Sequence, residues 1–333
     1  MTVLVTGASG FVGLALTRAL VSRGERVRTL HRSASPALDL LERAGFITVV
    51  RGDLADPAVV LRAAEGASAV LHVGAKAGVW GPRAEYYAAN VTGTENVLAA
   101  VRAHGIAKLV YTSTPSVVHT GGDAIGLDES APYATHFSTP YPETKAIAEQ
   151  AVLAANGATL ATCALRPHLI WGPGDTNLTP RIVERARSGR LALVDGGRHI
   201  VDATYIDSCV HAHLLALDRL APGAACAGKA YFIAQGEKAP VRELVLGIVA
   251  AYGLSPRVRS IPLGLAKVIG SVLEVSYRLA GAEREPPLTR FVAEQLGTSH
   301  WFDLSAAKRD LGYEAPVTTR EGLARLAESA RRG

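Results

Sequence analysis

The sequence predicts an α/β fold in which a doubly wound parallel sheet carries a smaller, mostly helical C-terminal lobe. Through the first half of the chain, short apolar runs rich in Val, Leu and Ile alternate with helical patterns. The apolar runs are continuous, which is typical of strands covered by helices on both faces. After residue 166 this rhythm becomes irregular, because glycines and prolines divide the chain into loops. Together these observations predict one sheet domain and one irregular lobe.

The elements of the sheet follow in order along the chain. The predicted strands are 3–6, 26–30, 47–51, 69–73, 109–113 and 162–166, and the predicted helices are 11–23, 37–44, 57–64, 88–103 and 139–155. Alternation of this kind makes right-handed βαβ units in a single parallel sheet. We expect residues 1–167, completed by about 203–234, to form the sheet domain. Residues 168–202 and 235–333 are expected to form the lobe.

Composition and charge narrow the class of protein. The 333 residues are 48% hydrophobic and 20% charged, as in globular proteins. The three cysteines lack the spacing of a metal site or a disulfide framework, so we expect no metal and a reducing, cytoplasmic compartment. The net charge of +5 is spread along the chain, which argues against nucleic acid as a partner. The sequence predicts neither a signal peptide nor a transmembrane helix.

Residues 6–13, Thr-Gly-Ala-Ser-Gly-Phe-Val-Gly, follow the first strand and open a helix. This is the setting of the glycine fingerprint of a Rossmann-type dinucleotide site. Gly7 would allow the tight turn, Gly10 the approach of a pyrophosphate, and Gly13 the packing of the helix on the sheet. A plain strand-to-helix turn is the alternative. The cofactor contacts predicted in this turn are Gly7, Ser9, Gly10, Phe11, Val12 and Gly13.

The end of the second strand distinguishes between the two nicotinamide cofactors, because an acid there binds the ribose of NAD and a base binds the 2′-phosphate of NADP. Here the chain reads His31-Arg32, without a carboxylate. We therefore expect NADP(H) to be preferred, with NAD(H) still accepted, unless Arg32 is only a solvated surface residue. After the third strand come Asp53 and Leu54; Asp53 could accept from the adenine amino group or cap a helix.

Tyr141 and Lys145 stand four residues apart, so a helix would present both on one face. The pair follows the fifth predicted strand, whose end carries the hydroxyls of Ser113 and Thr114 at the edge where ligands bind in such sheets. Reduction of a ketone needs a proton donor within hydrogen-bond reach. Tyr141 is the predicted donor, and the ammonium group of Lys145 is expected to lower the pKa of the phenol.

The motifs just described resemble, in order and over nearly the whole chain, those of the extended short-chain dehydrogenase/reductases. The resemblance is carried by the glycine turn 6–13, Asp53, the stretch 71–75, Asn90, Tyr111-Thr-Ser-Thr114, Tyr141-x-x-x-Lys145 and the stretch 165–175. It implies that Lys145 also binds the nicotinamide ribose and that Thr114 polarises the carbonyl, with Ser113 as the alternative. The further cofactor contacts that it implies are Val73, Gly74, Ala75, Asn90, Pro167, His168 and Leu169.

Within these enzymes the chain is most similar to the 3β-hydroxysteroid dehydrogenase-like branch. The stretches 72–81, 111–117, 144–149 and 285–291 resemble reductases of 2-alkyl-3-oxo fatty acids from bacterial long-chain olefin biosynthesis. The resemblance implies NADPH-dependent reduction of a 2-alkyl-3-oxoalkanoate to the 2-alkyl-3-hydroxyalkanoate, a homodimer, and contact with pathway enzymes such as a β-lactone synthetase. The alternatives are a 3β-hydroxysteroid or sterol-carboxylate dehydrogenase, a nucleotide-sugar epimerase or dehydratase, and an NADP-sensing regulator.

Three further residues, Lys76, Trp80 and Arg166, are candidates for substrate binding or for a structural role. Lys76 and Trp80 follow the fourth strand, where substrate would enter, and Lys76 is a candidate partner for the substrate carboxylate; an exposed loop lysine is the alternative. Arg166 is expected to form a structural ion pair.

Residues 261–281 form an amphipathic helical pattern. Lys267, Glu274 and Arg278 fall on one stripe, and five aliphatic residues from Leu265 to Leu279 cluster to one side of it. This helix could pack on its own lobe, line an acyl-chain pocket or make peripheral contact with a membrane surface.

Overall fold

The computed structural model describes residues 1–282 and 284–332. Its strands are β1 (Thr2–Thr6), β2 (Arg26–His31), β3 (Ile47–Arg51), β4 (Ala69–His72), β5 (Lys108–Thr112), β6 (Ala124–Leu127), β7 (Ala161–Pro167), β8 (Ile170–Trp171), β9 (Ala192–Val194), β10 (Ile200–Val201), β11 (Thr204–Tyr205), β12 (Lys229–Ile233), β13 (Ala239–Pro240), β14 (Arg259–Ile261) and β15 (His300–Phe302). Its helices are α1 (Phe11–Ser22), α2 (Pro36–Arg43), α3 (Pro57–Ala64), α4 (Arg83–Tyr86), α5 (Gly93–Ala103), α6 (Pro140–Ala154), α7 (Leu178–Arg187), α8 (Ile206–Arg219), α9 (Val241–Ala251), α10 (Leu263–Leu279), α11 (Arg290–Leu296), α12 (Ser305–Leu311) and α13 (Thr319–Arg332).

Seven parallel strands form the central sheet in the order β12-β7-β5-β4-β1-β2-β3. The predicted doubly wound fold is confirmed, and the six predicted strands are present to within one residue at each end. The seventh strand, β12, was not among them. Because all seven run in the same direction, their carboxyl ends meet along one edge of the sheet, where ligands bind in open α/β folds.

Helices cover both faces of this sheet, which explains why its central strands β1 and β4 are largely apolar. In β1, Val3 and Val5 point into a core shared with α1, α2 and α8. Leu4, between them, points to the opposite face and packs with α3, α5 and α6. Successive side chains of a strand alternate between faces, so a strand buried on both sides must be apolar at every position.

The helix predicted at 88–103 is longer and less regular than expected. It starts at Arg83 with α4, passes through a wide π-helical turn at Tyr87–Thr92 and continues as α5. Wide turns of this type insert an extra residue and often occur at functional sites. Here the turn contains Asn90, whose side chain is buried.

The lobe is built from helices and short strands rather than one extended sheet. Helices α7, α9 and α13 pack around a core that includes Trp171 and Ile248. Helices α10 and α11 pack mainly against each other, around Ala266 and Ala293. The amphipathic pattern at 261–281 forms α10, which packs on its own lobe through Ala266, Gly270 and Glu274, whereas the aliphatic residues on its apolar side are exposed.

Candidate active site

A cavity of about 710 Å³ opens along the carboxyl ends of the parallel strands, a size typical of sites for small molecules. The predicted cofactor residues that line it are Gly7, Ser9, Gly10, Phe11, Val12, Gly13, His31, Arg32, Asp53, Leu54, Val73, Gly74, Ala75, Lys145, Pro167 and Leu169. The predicted catalytic residues that line it are Ser113, Thr114, Tyr141 and Lys145, and Lys76 lies at the same wall. Asn90, His168 and Trp80 lie outside the described lining of this cavity.

The glycine turn is built by close approach of backbone segments. Gly7 has a φ of +67°, and a Cβ at this position would come within 2.5 Å of the Cα of Gly74, after β4. A Cβ on Gly13 would overlap the carbonyl oxygen of Gly7, so this glycine packs on the turn itself rather than on a strand. Gly10 precedes α1 and brings no side chain to its first amide groups. The start of α1 is therefore open to an anion.

Arg32 and Asp53 lie together at the other end of the cavity. The guanidinium group of Arg32 donates to the Asp53 carboxylate over 3.1 Å, and the arginine side chain is 78% exposed. Asp53 also accepts from the backbone N–H of Ala55, which together with Arg32 lowers its pKa. The helix-cap interpretation of Asp53 is wrong, because Asp56 is the residue that caps α3.

Tyr141 and Lys145 project from the first turns of α6 into the cavity, where β5 ends in Thr112, Ser113 and Thr114. The ammonium group of Lys145 donates to the carbonyl oxygen of Thr112 over 2.5 Å and lies 4.1 Å from the centre of the Tyr111 ring. It is thereby held against the end of the strand.

The pKa of Tyr141 differs from the sequence-based expectation. Burial raises it to about 12, and the hydrogen bond with Thr114 opposes this rise. Burial lowers the pKa of Lys145 to about 7. The expected lowering of the Tyr141 pKa by Lys145 is therefore wrong for this structure, because four-residue spacing on a helix gives no information about desolvation. The hydroxyl that faces Tyr141 is that of Thr114; the Ser113 hydroxyl is buried and has no hydrogen-bond partner among the described residues.

Asn90 connects the loop after β4 with helix α6, and both border the cavity. Its amide oxygen accepts from the backbone N–H of Lys76 over 2.7 Å, and its Nδ2 donates to the Lys76 carbonyl and to the Thr144 hydroxyl. Thr144 in turn donates to carbonyl oxygens at the start of α6. Asn90 thus fixes the position of the Tyr141 helix relative to the loop after β4, and its side chain is not placed for direct cofactor contact.

A buried chain of hydrogen bonds runs from the glycine turn to Asn90. The Thr6 hydroxyl accepts from the N–H groups of residues 73–74, so its own proton is directed to Nδ1 of His72, 2.7 Å away. Nε2 of His72 then donates to Thr94 over 2.9 Å, and Thr94 donates to the Asn90 carbonyl. Burial, aided by the charge of Lys145, lowers the pKa of His72 to about 3, so this histidine is neutral.

The chain at the end of β7 and directly after it is held in place by buried ion pairs and a bend. Arg166 forms the expected ion pair, here with buried Glu149 over 2.5 Å. His168 Nδ1 lies 2.7 Å from Asp202, and its ring is buried. Leu169 has a φ of +41°, an unusual value for a residue with a side chain. The two interactions and this bend hold Pro167 and Leu169 at the cavity wall, whereas the His168 ring points away from it.

Lys76 and Trp80 occupy different surroundings. Lys76 Nζ forms an ion pair with Glu85 over 2.7 Å at the cavity wall. Trp80 lies in a second cavity of about 290 Å³ and donates from Nε1 to the carbonyl oxygen of Ala282 over 3.0 Å. The cavity therefore holds a lysine whose charge is already balanced by Glu85.

Sequence reasoning missed part of the lining. The residues that it omitted are Leu30, Ser33, Gly52, Ala55, Ala77, Glu85, Ala88, Ala89, Thr112, Ile170, Asp175, Thr176 and Asn177. Asp175 stands out because its carboxylate accepts from the N–H groups of Asn177, Leu178 and Thr179 at the start of α7. The Gly-Pro-Gly-Asp run that ends at Asp175 is the signal that could have located this turn.

The cavity residues fit a nicotinamide dinucleotide. The glycine turn leaves no room for a Cβ and presents the open start of α1, as pyrophosphate binding requires.

In the part of the chain that the structure describes, no group of three or more His, Cys, Asp or Glu side chains could hold a metal ion. Within the same residues, no helix combines the length and apolar character needed to span a bilayer.

A parallel doubly wound sheet that joins such a turn to a Tyr-Lys pair in the cavity is found in NAD(P)-dependent oxidoreductases of the short-chain dehydrogenase/reductase type, and the chain is one of these enzymes. It belongs to the 3-beta hydroxysteroid dehydrogenase/isomerase family, whose model matches residues 4–263.

Known proteins agree with this membership. The chain is 55% identical to a 2-alkyl-3-oxoalkanoate reductase of Stenotrophomonas maltophilia, with 99% of each chain covered. It is 46% identical to a protein of the same name from Shewanella oneidensis, over 98% of this chain and 85% of that one. Among solved structures, MoeE5 in complex with UDP-glucose and NAD superposes with a TM-score of 0.77 at 26% identity, over 100% of this chain and 99% of that one.

Proposed function

We propose that the protein catalyses NADPH-dependent reduction of a 2-alkyl-3-oxoalkanoate to the 2-alkyl-3-hydroxyalkanoate, in bacterial long-chain olefin biosynthesis. The observation that carries this proposal is the 55% identity, over essentially the whole chain, to a reductase named for that substrate. Long apolar substrates also suit a lobe whose helix α10 exposes aliphatic side chains.

The proposed cofactor residues are the glycine turn, Arg32 and Lys145. When bound, NADPH supplies the hydride. Arg32 supports the choice of NADPH, because its exposed guanidinium group at the end of β2 can bind a 2′-phosphate, and that strand end carries no carboxylate. Asp53 would keep the Arg32 side chain oriented through their ion pair.

The proposed proton donor is Tyr141. With a pKa near 12 in the free protein, its phenol is protonated at neutral pH and can donate to the oxygen of a ketone as negative charge develops there. Thr114, which lines the cavity beside Tyr141, can polarise the same carbonyl, with Ser113 as the alternative. Lys145, held by the Thr112 carbonyl, would bind the nicotinamide ribose.

We propose Lys76 as a partner for the substrate carboxylate, in exchange for Glu85, with Trp80 at the entry. The exchange is supported by the exposure of this ion pair, since exposed pairs contribute little stability and can re-form with another carboxylate. The Lys76→Ala variant should lose affinity for the keto acid but not for its methyl ester. Equal losses for both ligands would exclude this role.

The remaining parts of the proposal concern organisation. We propose the division into a cofactor domain (1–167 with about 203–234) and a substrate lobe (168–202 and 235–333), a homodimer, and contact with the β-lactone synthetase and other enzymes of the pathway. A cytoplasmic location is supported by the three free cysteines, all buried.

The experiment is a spectrophotometric assay of NADPH formation from NADP and a racemic 2-alkyl-3-hydroxy fatty acid, beside a 3β-hydroxysteroid and a nucleotide sugar. We expect turnover with the hydroxy acid and a higher kcat/KM with NADP than with NAD. A 3β-hydroxysteroid is the second candidate substrate, because the matching family is described by that activity. Preference for the steroid would replace the first proposal, and silence with all three would refute both.

A further inference from the structure

Helix α10 presents a broad apolar face to solvent. Its five aliphatic residues are more than half exposed: Leu265 (52%), Val268 (59%), Val272 (59%), Val275 (55%) and Leu279 (85%). At a helical repeat of 100° per residue they fall within an arc of about 80°. Isolated exposed apolar residues are ordinary, but a continuous stripe along a whole helix marks an interaction site.

The opposite face of α10 packs on the rest of the protein, and its side chains are small or charged. Ala266, Gly270 and Glu274 are its buried residues. Gly270 allows the backbone at residues 289–290 to approach, and the Glu274 carboxylate accepts from the backbone N–H and the guanidinium group of Arg290. The attachment therefore uses none of the five aliphatic side chains.

The chain segment that contains α10 has a net positive charge. Residues 252–282 contain four basic residues, Arg257, Arg259, Lys267 and Arg278, and one acidic residue, Glu274, which gives a local net charge of +3. Glu274 is buried and paired with Arg290. Among the described residues, the three arginines of this segment have no carboxylate within ion-pair distance, whereas Lys267 pairs with Glu294.

We propose that α10 lies on the surface of a lipid bilayer that carries anionic headgroups, with its aliphatic stripe at the boundary of the acyl region. An amphipathic helix with an apolar face and basic residues on its other side binds in this way, through apolar burial and attraction to anionic lipids. Attraction to the headgroup phosphates would come from Arg257, Arg259 and Arg278.

A second copy of this chain is disfavoured as the occupant by area and by charge. The 17-residue helix is about 25 Å long, so a strip about 10 Å wide covers roughly 250 Å², well below the ~800 Å² that each partner buries in a standard interface. A two-fold contact would also place the same basic residues opposite one another. The only carboxylate of the segment is buried and could not neutralise them.

The position of α10 connects this surface to the candidate active site. The cavity of about 290 Å³ between the loop after β4 and the end of α10 is lined by Trp80, Tyr277 and Arg278 on one side and by Thr139 and Pro140 on the other. Pro140 directly precedes Tyr141. If the proposed function holds, a long-chain keto acid would pass from the lipid to the active site through this cavity. Only this step of the proposal rests on the proposed function.

The test is flotation of the full-length protein, with NADP bound, on vesicles of phosphatidylcholine alone or with about one third phosphatidylglycerol. We expect the protein to float with the anionic vesicles and to be released by high salt. The double variant Val268→Ser/Val272→Ser should lower the partition coefficient by about tenfold or more, and Arg257→Gln/Arg259→Gln should lower it on anionic vesicles. A matched control is Leu40→Ser/Phe46→Ser, which changes exposed apolar residues away from α10 and should bind like the unmodified protein.

Two outcomes would overturn the proposal. One is equal flotation, or none, for the unmodified protein and Val268→Ser/Val272→Ser. The other is that the unmodified protein binds no vesicles while Val268→Ser/Val272→Ser changes its molar mass in solution. That result would assign the apolar face to a second copy of the chain. Turnover on a short-chain, water-soluble substrate should be unchanged in the variant, so failure of flotation is distinguishable from failure of the proposed reaction.

Discussion

The carboxyl edge of the parallel sheet and helix α10 have opposite surroundings. At the sheet edge, Gly7 lies so close to Gly74 that no side chain fits, and His72 is enclosed in a chain of hydrogen bonds. On α10, the aliphatic side chains face solvent, and Gly264 has no neighbouring atom within 4 Å of its Cβ position. A dinucleotide needs a site that is formed before it binds, whereas a fluid lipid surface needs only an apolar face.

The difference shows that chemical type alone does not tell where a residue acts. Both regions are rich in glycine and aliphatic residues, but the sheet edge uses them for close packing and α10 leaves them uncovered. Substitutions of one kind should therefore have opposite or very unequal effects in the two regions.

Replacing Tyr141 with Phe tests the catalytic end of the sheet edge. Loss of a positioned proton donor should lower kcat by roughly 10²- to 10⁴-fold, while the dissociation constant for NADPH stays within about twofold. Steady-state kinetics and cofactor fluorescence titration measure the two quantities. Tyr87→Phe, on the exposed π-helical turn, is the control and should retain activity. A Tyr141→Phe enzyme with undiminished kcat would rule out this residue as donor.

Gly→Ala substitutions should have opposite effects in the two regions. At Gly13 the new methyl group would overlap the carbonyl oxygen of Gly7, so we expect a loss of about 3 kcal/mol in the free energy of unfolding and weaker NADPH binding. Gly264→Ala adds the same methyl group to α10 in open space and should be neutral or stabilising by up to ~1 kcal/mol. Urea denaturation measures both. Equal effects would mean that the turn is not tightly packed.

His72 makes the sheet edge sensitive to acid. Its pKa is about 3 in the folded protein, against an ordinary value of 6.5, so the unfolded chain binds the extra proton as the pH falls below 6.5. The free energy of unfolding should therefore decrease by roughly 2 kcal/mol between pH 6.5 and 5 from this residue. The variant His72→Asn should show a shallower dependence on pH in urea titrations. The exposed control His136→Gln should leave it unchanged; a slope unaltered in His72→Asn would refute the assignment.

Arg32→Ala removes a side chain from the exposed end of the same cavity. The KM for NADPH should rise about tenfold and that for NADH should change little, because only NADPH carries the 2′-phosphate. Arg18→Ala, an exposed arginine on α1, is the control. Parallel losses with both cofactors would mean that Arg32 supports the loop around Asp53 rather than the phosphate.

The sequence allowed the sheet to be predicted well, because the alternation of strands and helices and the glycine turn are local patterns. It did not allow the role of Asn90 to be predicted, since its contacts with Lys76 and Thr144 depend on a π-helical turn and on loops distant in sequence. The raised pKa of Tyr141 was not predicted for a similar reason, because spacing on a helix carries no information about burial.

Helix α10 shows the same limit for packing. The spacing of aliphatic residues predicted the helix and its apolar side, but not which side would be buried. That choice depends on α11, which supplies Arg290 to Glu274 and approaches Gly270 too closely for a larger residue to fit there. Tertiary partners of this kind leave no periodic pattern in either segment.

The smallest predicted effect is on α10 itself. Val275→Ala removes two methyl groups that are largely in contact with solvent, so the free energy of unfolding should change by less than about 0.5 kcal/mol. The same substitution at Val60, which is fully buried between α3 and the sheet, should cost roughly 2 kcal/mol. Urea denaturation without lipid measures both variants. A cost at Val275 as large as that at Val60 would show that something covers this face in solution, and the helix would then have a protein neighbour rather than a free surface for lipid.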